Sequence, residues 1–351
     1  MPISAYPANI IIFIHYLCAM EKFYGEICQF LHERDLYIYK VREGYGYISV
    51  KAECSGSDRL MPLLLLEIRA NSQEEAERQH AEASAEIARL TDESGTYPLI
   101  LTEDRWSSQG EMTRSRLLAH LEIFTQIYAR NCEVRRIDKA TAQHFLQTSH
   151  SYGDAACKYR YGLYLKRHTG HNAIRLSESN DNPDGQAIAT LQPGTLIAVA
   201  TFSNARKWIK GDKTIRSYEW TRYASLPGVR LSGGMGKVLK TFIKEVQPDD
   251  IMTYADLEWS EGKVYEQLGF TLEGTRPSVT FTIDTSEWSR TAMSSEATAG
   301  VDMPPPARGC LAEGQTGVNG SCASDDMPTP ASKIFQNFGS NKYRLKLTDY
   351  Q

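Results

Sequence analysis

No long apolar run, no cysteine pairing pattern and no excess of positive charge marks this chain of 351 residues. The apolar stretch Ile10 to Met20 is shorter than a bilayer crossing requires. It has neither the basic residues before it nor the small-residue cleavage site after it that a signal peptide needs. The seven cysteines (Cys18, Cys28, Cys54, Cys132, Cys157, Cys310 and Cys322) are odd in number and irregular in spacing, so they supply neither a disulfide framework nor a C-x-x-C clamp for a metal. These absences lead to the expectation of a cytoplasmic protein in a reducing compartment, without a membrane span or a bound metal. With a net charge of −4 the chain is no polycation, and affinity for nucleic acid has to reside in a local patch.

Charge is in fact segregated. Ser203 to Lys244 holds ten Lys/Arg against two acids, and Asp249 to Glu273 holds seven acids against one lysine. In the first of these regions Arg206, Lys207, Lys210, Arg216 and Arg222 are interleaved with Trp208, Trp220 and tyrosines. Such a run is either a solvated face or a groove that follows phosphates and stacks on bases, and contact with DNA is expected.

With 41% hydrophobic residues the chain is long enough for two domains and a tail. Phe23, Ile27, Phe30 and Leu31 trace a helical face within Glu21 to Arg34, and strands are predicted at Leu36 to Val41, Tyr45 to Lys51 and Met61 to Ile68. Ser72, with Glu75 three residues on, is a capping box that opens a polar helix to about Leu90. A strand at Tyr97 to Thr102 and a helix from about Gly110 to Leu121 follow. The pattern restarts near Tyr128 with a strand at Cys132 to Ile137, a helix at Lys139 to Thr148 and a strand at Tyr159 to Lys166. After a polar loop from His168 to Pro193 come strands at Thr195 to Phe202 and Ser217 to Ala224. Helix Gly234 to Val246, strand Ile251 to Ala255, helix Gly262 to Leu268 and strand Ser278 to Ile283 complete it. From about Thr285 the composition turns to Ser, Thr, Ala, Gly and Pro, which predicts a disordered tail, with aromatics returning from Ile334. The implied division is 1–127, 128–284 and a tail of 285–351.

Two motifs carry chemistry. Ser232 to Lys240, S-G-G-M-G-K-V-L-K, is a glycine-rich turn opening a basic helix. Exposed backbone N–H groups and the positive end of a helix dipole suit a pyrophosphate there. Val264 to Phe270, V-Y-E-Q-L-G-F, puts Tyr265 on a short helix, as a packed core aromatic or as a proton donor. Asp256 ends a predicted parallel strand, where open α/β sheets place ligands, or it caps the helix that follows. His150, at a helix exit beside Tyr152, is a C-terminal cap or a base.

From about Glu133 to Asp284 the chain resembles the GNAT fold of acyl-CoA-dependent N-acyltransferases. In that fold a splayed strand precedes a phosphate-binding glycine loop and a tyrosine sits in a Y-x-x-x-G-F turn; here these are Ser232 to Lys237 and Tyr265 to Phe270. The Arg or Gln that stands two residues before the first glycine in that family is not in register, and Arg230 takes its part. More narrowly, I-Y-A-R-N-C-E-V-R-R-I (Ile127 to Ile137), H-x-x-G (His150 to Gly153), F-S-N-A-R (Phe202 to Arg206), Y-E-W-T-R-Y (Tyr218 to Tyr223), G-G-M-G-K (Gly233 to Lys237) and T-Y-A-D-L-E-W-S-E-G (Thr253 to Gly262) resemble a set in phage-encoded proteins. In those, a GNAT-like domain follows a homing-endonuclease-type domain. The last run is also similar to Mom-type phage proteins that modify adenine in DNA.

The resemblance implies an α/β chain of mixed sheets: a GNAT-like C-terminal domain after a smaller N-terminal domain like the PD-(D/E)XK restriction endonucleases. It further implies acetyl-CoA or a related acyl-CoA as cofactor, held by Arg230, Gly233, Gly234, Gly236 and Lys237. Tyr265 would protonate the leaving thiolate, Asp256 or His150 would serve the attacking amine, and a nucleic-acid base would be the acceptor. Cutting is not expected of the N-terminal half. Its only plausible metal-binding acids are Asp58 and Glu67, and the lysine position is Arg69, which cannot be deprotonated. A non-catalytic DNA-binding or homing-endonuclease-related protein, and an ordinary N-acetyltransferase of small molecules or proteins, are the alternatives.

Overall fold

The segment Leu60–Leu66 reads L-M-P-L-L-L-L, and in the computed structural model this strand is covered on both faces, which is why it carries no charged residue. Residues 22–167, 191–293 and 332–348 are described by the structure. The run Ile10 to Met20, most of the His168 to Pro193 stretch and residues 294–331 of the expected tail lie outside the described residues.

The N-terminal sheet runs in sequence order: β1 (Ile38–Gly44), β2 (Tyr47–Glu53), β3 (Leu60–Leu66) and β4 (Leu99–Thr102), antiparallel except for the last pair. Period-two alternation splits the leucines of β3 between two layers. Leu63 and Leu65 pack with Phe23, Ile27 and Leu31 of α1 (Lys22–His32) and with Trp106 and Leu117, while Leu64 and Leu66 meet Ala83 and Ile87 of α2 (Gln73–Ser94). The capping box is formed: Ser72 Oγ accepts the Glu75 amide at 3.2 Å, and the Glu75 carboxylate reaches back to the Asn71 amide at 2.7 Å. α3 (Glu103–Ser108) and α4 (Gly110–His120) follow β4 directly and lead to β5 (Thr125–Tyr128).

A larger sheet takes up most of the rest. Its elements are β6 (Cys132–Arg136), α5 (Lys139–Ser149), β7 (Tyr159–Leu165), β8 (Leu196–Phe202), β9 (Arg206–Lys210), β10 (Lys213–Ser225), β11 (Val229–Ser232), α6 (Gly234–Val246), β12 (Asp250–Asp256), α7 (Lys263–Gln267) and β13 (Thr271–Arg276). Then come β14 (Thr280–Asp284), β15 (Ser289–Ala292), β16 (Ser332–Gln336) and β17 (Ser340–Lys346). The order across the sheet is β13-β17-β12-β10-β8-β7-β6, with β9 folded back on β10. Val238, Leu239 and Phe242 form the buried stripe of α6, and the Phe242 ring lies parallel to Phe202 with centroids 3.9 Å apart. β11 leaves this sheet and pairs in parallel with β5, tying the two units together.

The expected disordered tail, 285–351, is corrected for its described residues 285–293 and 332–348. β17 lies inside the large sheet, hydrogen-bonded to β12 on one side and β13 on the other, and Tyr343 is 1% exposed. Its sequence S-N-K-Y-R-L-K alternates, with Tyr343 and Leu345 toward the core, but three cations on the alternate positions mask the signal. β15, β14 and β16 form a separate three-stranded sheet whose Ile283 and Phe335 cover the α2 side of the N-terminal sheet. Charge did not prevent strand formation because Lys342 and Arg344 found acids: Arg344 pairs with Asp250 and Glu273, and Lys342 with Glu273.

Candidate active site

β10 and β12 run parallel and pair only through Ser217–Asp250, Tyr218–Ile251 and Glu219–Met252. From Trp220 onward β10 pairs with β8 alone, after an irregularity between Trp220 and Arg222, while β12 stays paired to β17 as far as Asp256. The two strands therefore part. A cleft of about 1140 Å³ opens there, lined by Trp220, Thr253, Asp256 and Tyr265 from the large sheet and by Ser115 and Arg116 of α4 from the N-terminal unit.

The glycine turn stands beside this cleft. Gly233 caps α6 with φ of 75°, a left-handed value that a side chain would oppose. A Cβ on Gly234 would come within 2.5 Å of the Tyr223 hydroxyl, so the turn is fixed by close approach as well. The Lys237 amide makes the first helical bond, to Gly233 at 3.0 Å, which leaves the amides of Gly234, Met235 and Gly236 without an intrahelical partner. Leu231, Met235 and Arg230 line the cleft. Lys237 departs from expectation: its ammonium donates to the carbonyls of Ala129 and Cys132, bracing α6 against the segment before β6, and is not directed at a ligand.

Tyr265, Asp256 and His150, 115 positions apart at their extremes, all line the same cleft. The Tyr265 ring contacts Trp220, Phe270 and Tyr343, and burial raises its phenol above the ordinary range, against a lowering by Thr253 and the Arg116 charge. It is thus kept protonated. Asp256 Oδ2 accepts from the Tyr152 hydroxyl at 2.8 Å and from Arg105 at 3.4 Å, and Oδ1 accepts the Glu258 amide at 3.0 Å. Asp256 does not cap the helix that follows, whose N-cap is Gly262; its side chain holds the turn after β12 and lines the cleft. His150 ends α5, its amide bonded to Leu146, and its Nδ1 accepts the Tyr152 amide at 3.1 Å. Burial, with Arg222, Arg116 and Arg105 nearby, holds the imidazole well below its usual pKa, so the ring is neutral with its proton on Nε2. That tautomer offers the cleft a donor, not a base.

Behind Asp256 lies a buried ionic network that no motif disclosed. Arg290 of β15 binds Asp104 through both carboxylate oxygens and Glu258 at 2.8 and 3.1 Å, and Arg105 reaches Glu258 at 3.0 Å and Tyr152 at 3.0 Å. Asp104 and Glu258 are each 1% exposed. The network joins α3, the turn after β12 and β15, and so sets the N-terminal unit against the cleft.

The basic run divides. Arg206, Lys207, Trp208 and Lys210 lie on β9, every residue of which is exposed, in a hairpin that projects from the sheet. Arg216 is paired with Asp249 and donates to the Gln247 carbonyl. Trp220 is 3% exposed and packs against Phe202, which corrects its assignment as a base-stacking residue. Arg222 turns into the cleft and donates to the carbonyls of Gly153 and Thr221.

In the N-terminal sheet, Asp58 precedes β3 and Glu67 follows it, so the strand holds them about 20 Å apart, too far to share a metal. Glu67 is moreover paired with Arg69. Sequence reasoning missed Arg116, because α4 buries only Thr113 and Leu117 and has no clear apolar stripe. It also missed Glu219, a cleft carboxylate at the last β10–β12 pair, which burial pushes above the ordinary glutamate value of 4.5 against lowering by Arg206, Arg276 and Arg222. No protein family matches this sequence, and no curated protein matches it either. Among the described residues no helix is long and apolar enough to cross a membrane.

Proposed function

We propose that the chain is a GNAT-like N-acyltransferase that uses an acyl-CoA-type cofactor and acts on a nucleic-acid base. The observation that carries this reading is the parting of β10 and β12 after Glu219 and Met252, beside the entrance of α6 and facing Tyr265. Beyond that point no strand among the described residues pairs with the β12-facing edge of β10, which leaves an edge along which an extended pantetheine arm can lie. The amides of Gly234, Met235 and Gly236 and the side chain of Arg230 suit a pyrophosphate. When bound, the cofactor supplies an activated acyl thioester. Tyr265, held protonated by burial, donates to the departing sulfur. Glu219, whose raised pKa brings it nearer neutrality, takes the proton of the attacking amine, while Asp256, fixed by Tyr152 and Arg105, orients that amine. A base in duplex DNA has to be turned out of the stack to reach such a cleft.

Titration calorimetry with acetyl-CoA, followed by mass spectrometry of nucleosides from DNA exposed to the protein, tests the proposal. Saturable binding and a mass increase on one base are expected; absence of acetyl-CoA binding would sink it. DNA binding without transfer is the second reading, and the exposed basic hairpin at β9 favours it. It requires salt-sensitive binding with no cofactor dependence.

A further inference from the structure

Among the arginines described at the cleft, half-buried Arg116 stands apart from its neighbours Arg105, Arg222 and Arg290. Arg105 and Arg290 are paired with carboxylates and Arg222 with backbone carbonyls. Arg116 makes no hydrogen bond and no ion pair among the described residues. Its guanidinium lies over the Trp259 ring at 4.2 Å, and Arg105 lies 5.0 Å from the same ring. A cation–π contact fixes the charge in place without using the in-plane N–H donors. Trp259 is itself 5% exposed and lines the cleft, and its Nε1, a group that can only donate, has no acceptor. The carboxylate nearest to Arg116 in sign and place, Asp256, is already held by Tyr152 and Arg105. His120, at the same wall, is kept neutral by burial and by the charges of Arg116, Arg230 and Arg59, so it adds no second positive charge there. Burial moves Arg116 down to about 10 for the same reason. This corner is rich in donors and poor in acceptors. A half-buried guanidinium at the cleft wall, offset only by the field of Asp256 and with its in-plane donors unused, is suited to a ligand that completes it.

We infer that Arg116 receives a phosphate group of the ligand entering the cleft, so that the N-terminal unit completes the site with a charge of its own. The inference rests on the reading of the cleft as a site for acyl-CoA and a nucleotide, both of which carry phosphates. The planar N–H fork of arginine matches phosphate oxygens as it does a carboxylate.

The test uses the full chain, the variants Arg116→Gln and Arg116→Lys, and calorimetric titration with coenzyme A, pantetheine, a short single-stranded oligonucleotide and an uncharged nucleoside. Arg116→Gln is expected to weaken one phosphate-bearing probe by roughly 10- to 100-fold, the size of a charge-assisted hydrogen bond, with its phosphate-free counterpart unchanged. Arg116→Lys is expected to restore part of that loss. Loss on coenzyme A assigns the phosphate to the cofactor, and loss on the oligonucleotide assigns it to the acceptor. If the wild type binds both and the Gln variant matches it within about two-fold, the inference is overturned while the transferase reading stands. If the wild type binds neither, the transferase reading falls and inorganic phosphate decides. A rise in melting temperature with phosphate in the wild type, absent from Arg116→Gln, then supports the inference, and equal responses overturn it. The Gln variant should melt no lower than the wild type, because the charge it removes has no partner; a variant that no longer folds would overturn that premise.

Discussion

Two parallel strand pairs, one in each sheet, end differently. β3 and β4 stay in register over the whole of β4, from Leu63–Leu99 to Leu66–Thr102, and all four residues of β4 are buried. β10 and β12 pair at three positions and separate, although β12 is seven residues long. Complete pairing leaves a sheet with mostly aliphatic side chains packed on both faces. Interrupted pairing leaves unpaired backbone and polar side chains around a cavity. The N-terminal unit therefore contributes to the cleft chiefly through α4, which carries Ser115, Arg116 and His120, and through Arg59 and Met61 at the start of β3.

The bluntest way to break the comparison is to remove residues 332–351. The large sheet then loses an interior strand and the N-terminal sheet loses the cover of Phe335. No cooperative thermal transition is expected by circular dichroism; a sharp transition near that of the full chain would contradict the interior placing of β17. Next in size is Arg290→Ala, which strands the buried carboxylates of Asp104 and Glu258 and is expected to cost about 3–5 kcal/mol in chemical denaturation. Arg59→Ala, at an exposed pair with Glu122, serves as its control and should cost under about 1 kcal/mol.

Tyr265→Phe sharpens the functional side of the contrast. Turnover is expected to fall by roughly 10²- to 10⁴-fold with coenzyme A affinity unchanged, and an unaltered rate would remove the proton-donor role. The acidic limb of the rate profile is expected above pH 4.5, since Glu219 must lose a proton that burial makes it keep, and Glu219→Gln should abolish that limb.

His120 gives a smaller effect. Its pKa is lowered in the folded chain from 6.5 to about 4, so the unfolded chain binds the proton first. The stability His120 contributes is full above about pH 6.5 and declines as pH falls toward about 4, by up to about 3 kcal/mol; His120→Asn should remove that share in denaturation measured across the range and leave the share of His150 and His80. Least of all, Lys207→Ala or Lys210→Ala on the hairpin should each reduce the salt dependence of DNA binding by about one phosphate contact, while leaving cofactor binding alone.

Local chemistry was legible in the sequence, and long-range assembly was not. α6 was read to the residue because Gly233 marks its start and Val238, Leu239 and Phe242 share one face. The capping box at Ser72 was equally plain. β5, β9, β11, β13 and β15 to β17 were missed. These are strands of four to seven residues with charged or glycine positions, whose stability comes from partners distant in sequence, as when Ser340 to Lys346 pairs with Asp250 to Asp256. The site shows the same limit. Tyr265, Asp256 and His150 were named from motifs, whereas Arg116, Arg105 and Arg290 carry no motif and owe their roles to where α3, α4 and β15 come to rest. Lys237 and Trp220 were misassigned because residue type and spacing do not say which way a side chain turns.

β17 lies between β12 and β13, yet more than sixty residues separate it from β13 along the chain. During synthesis the facing edges of β12 and β13 emerge first and wait with open hydrogen-bonding groups until Ser340 to Lys346 leaves the ribosome. The half built on the large sheet is thus a late assembler, exposed to mispairing in the interval. Chaperone demand and inclusion-body formation on rapid expression are its natural costs.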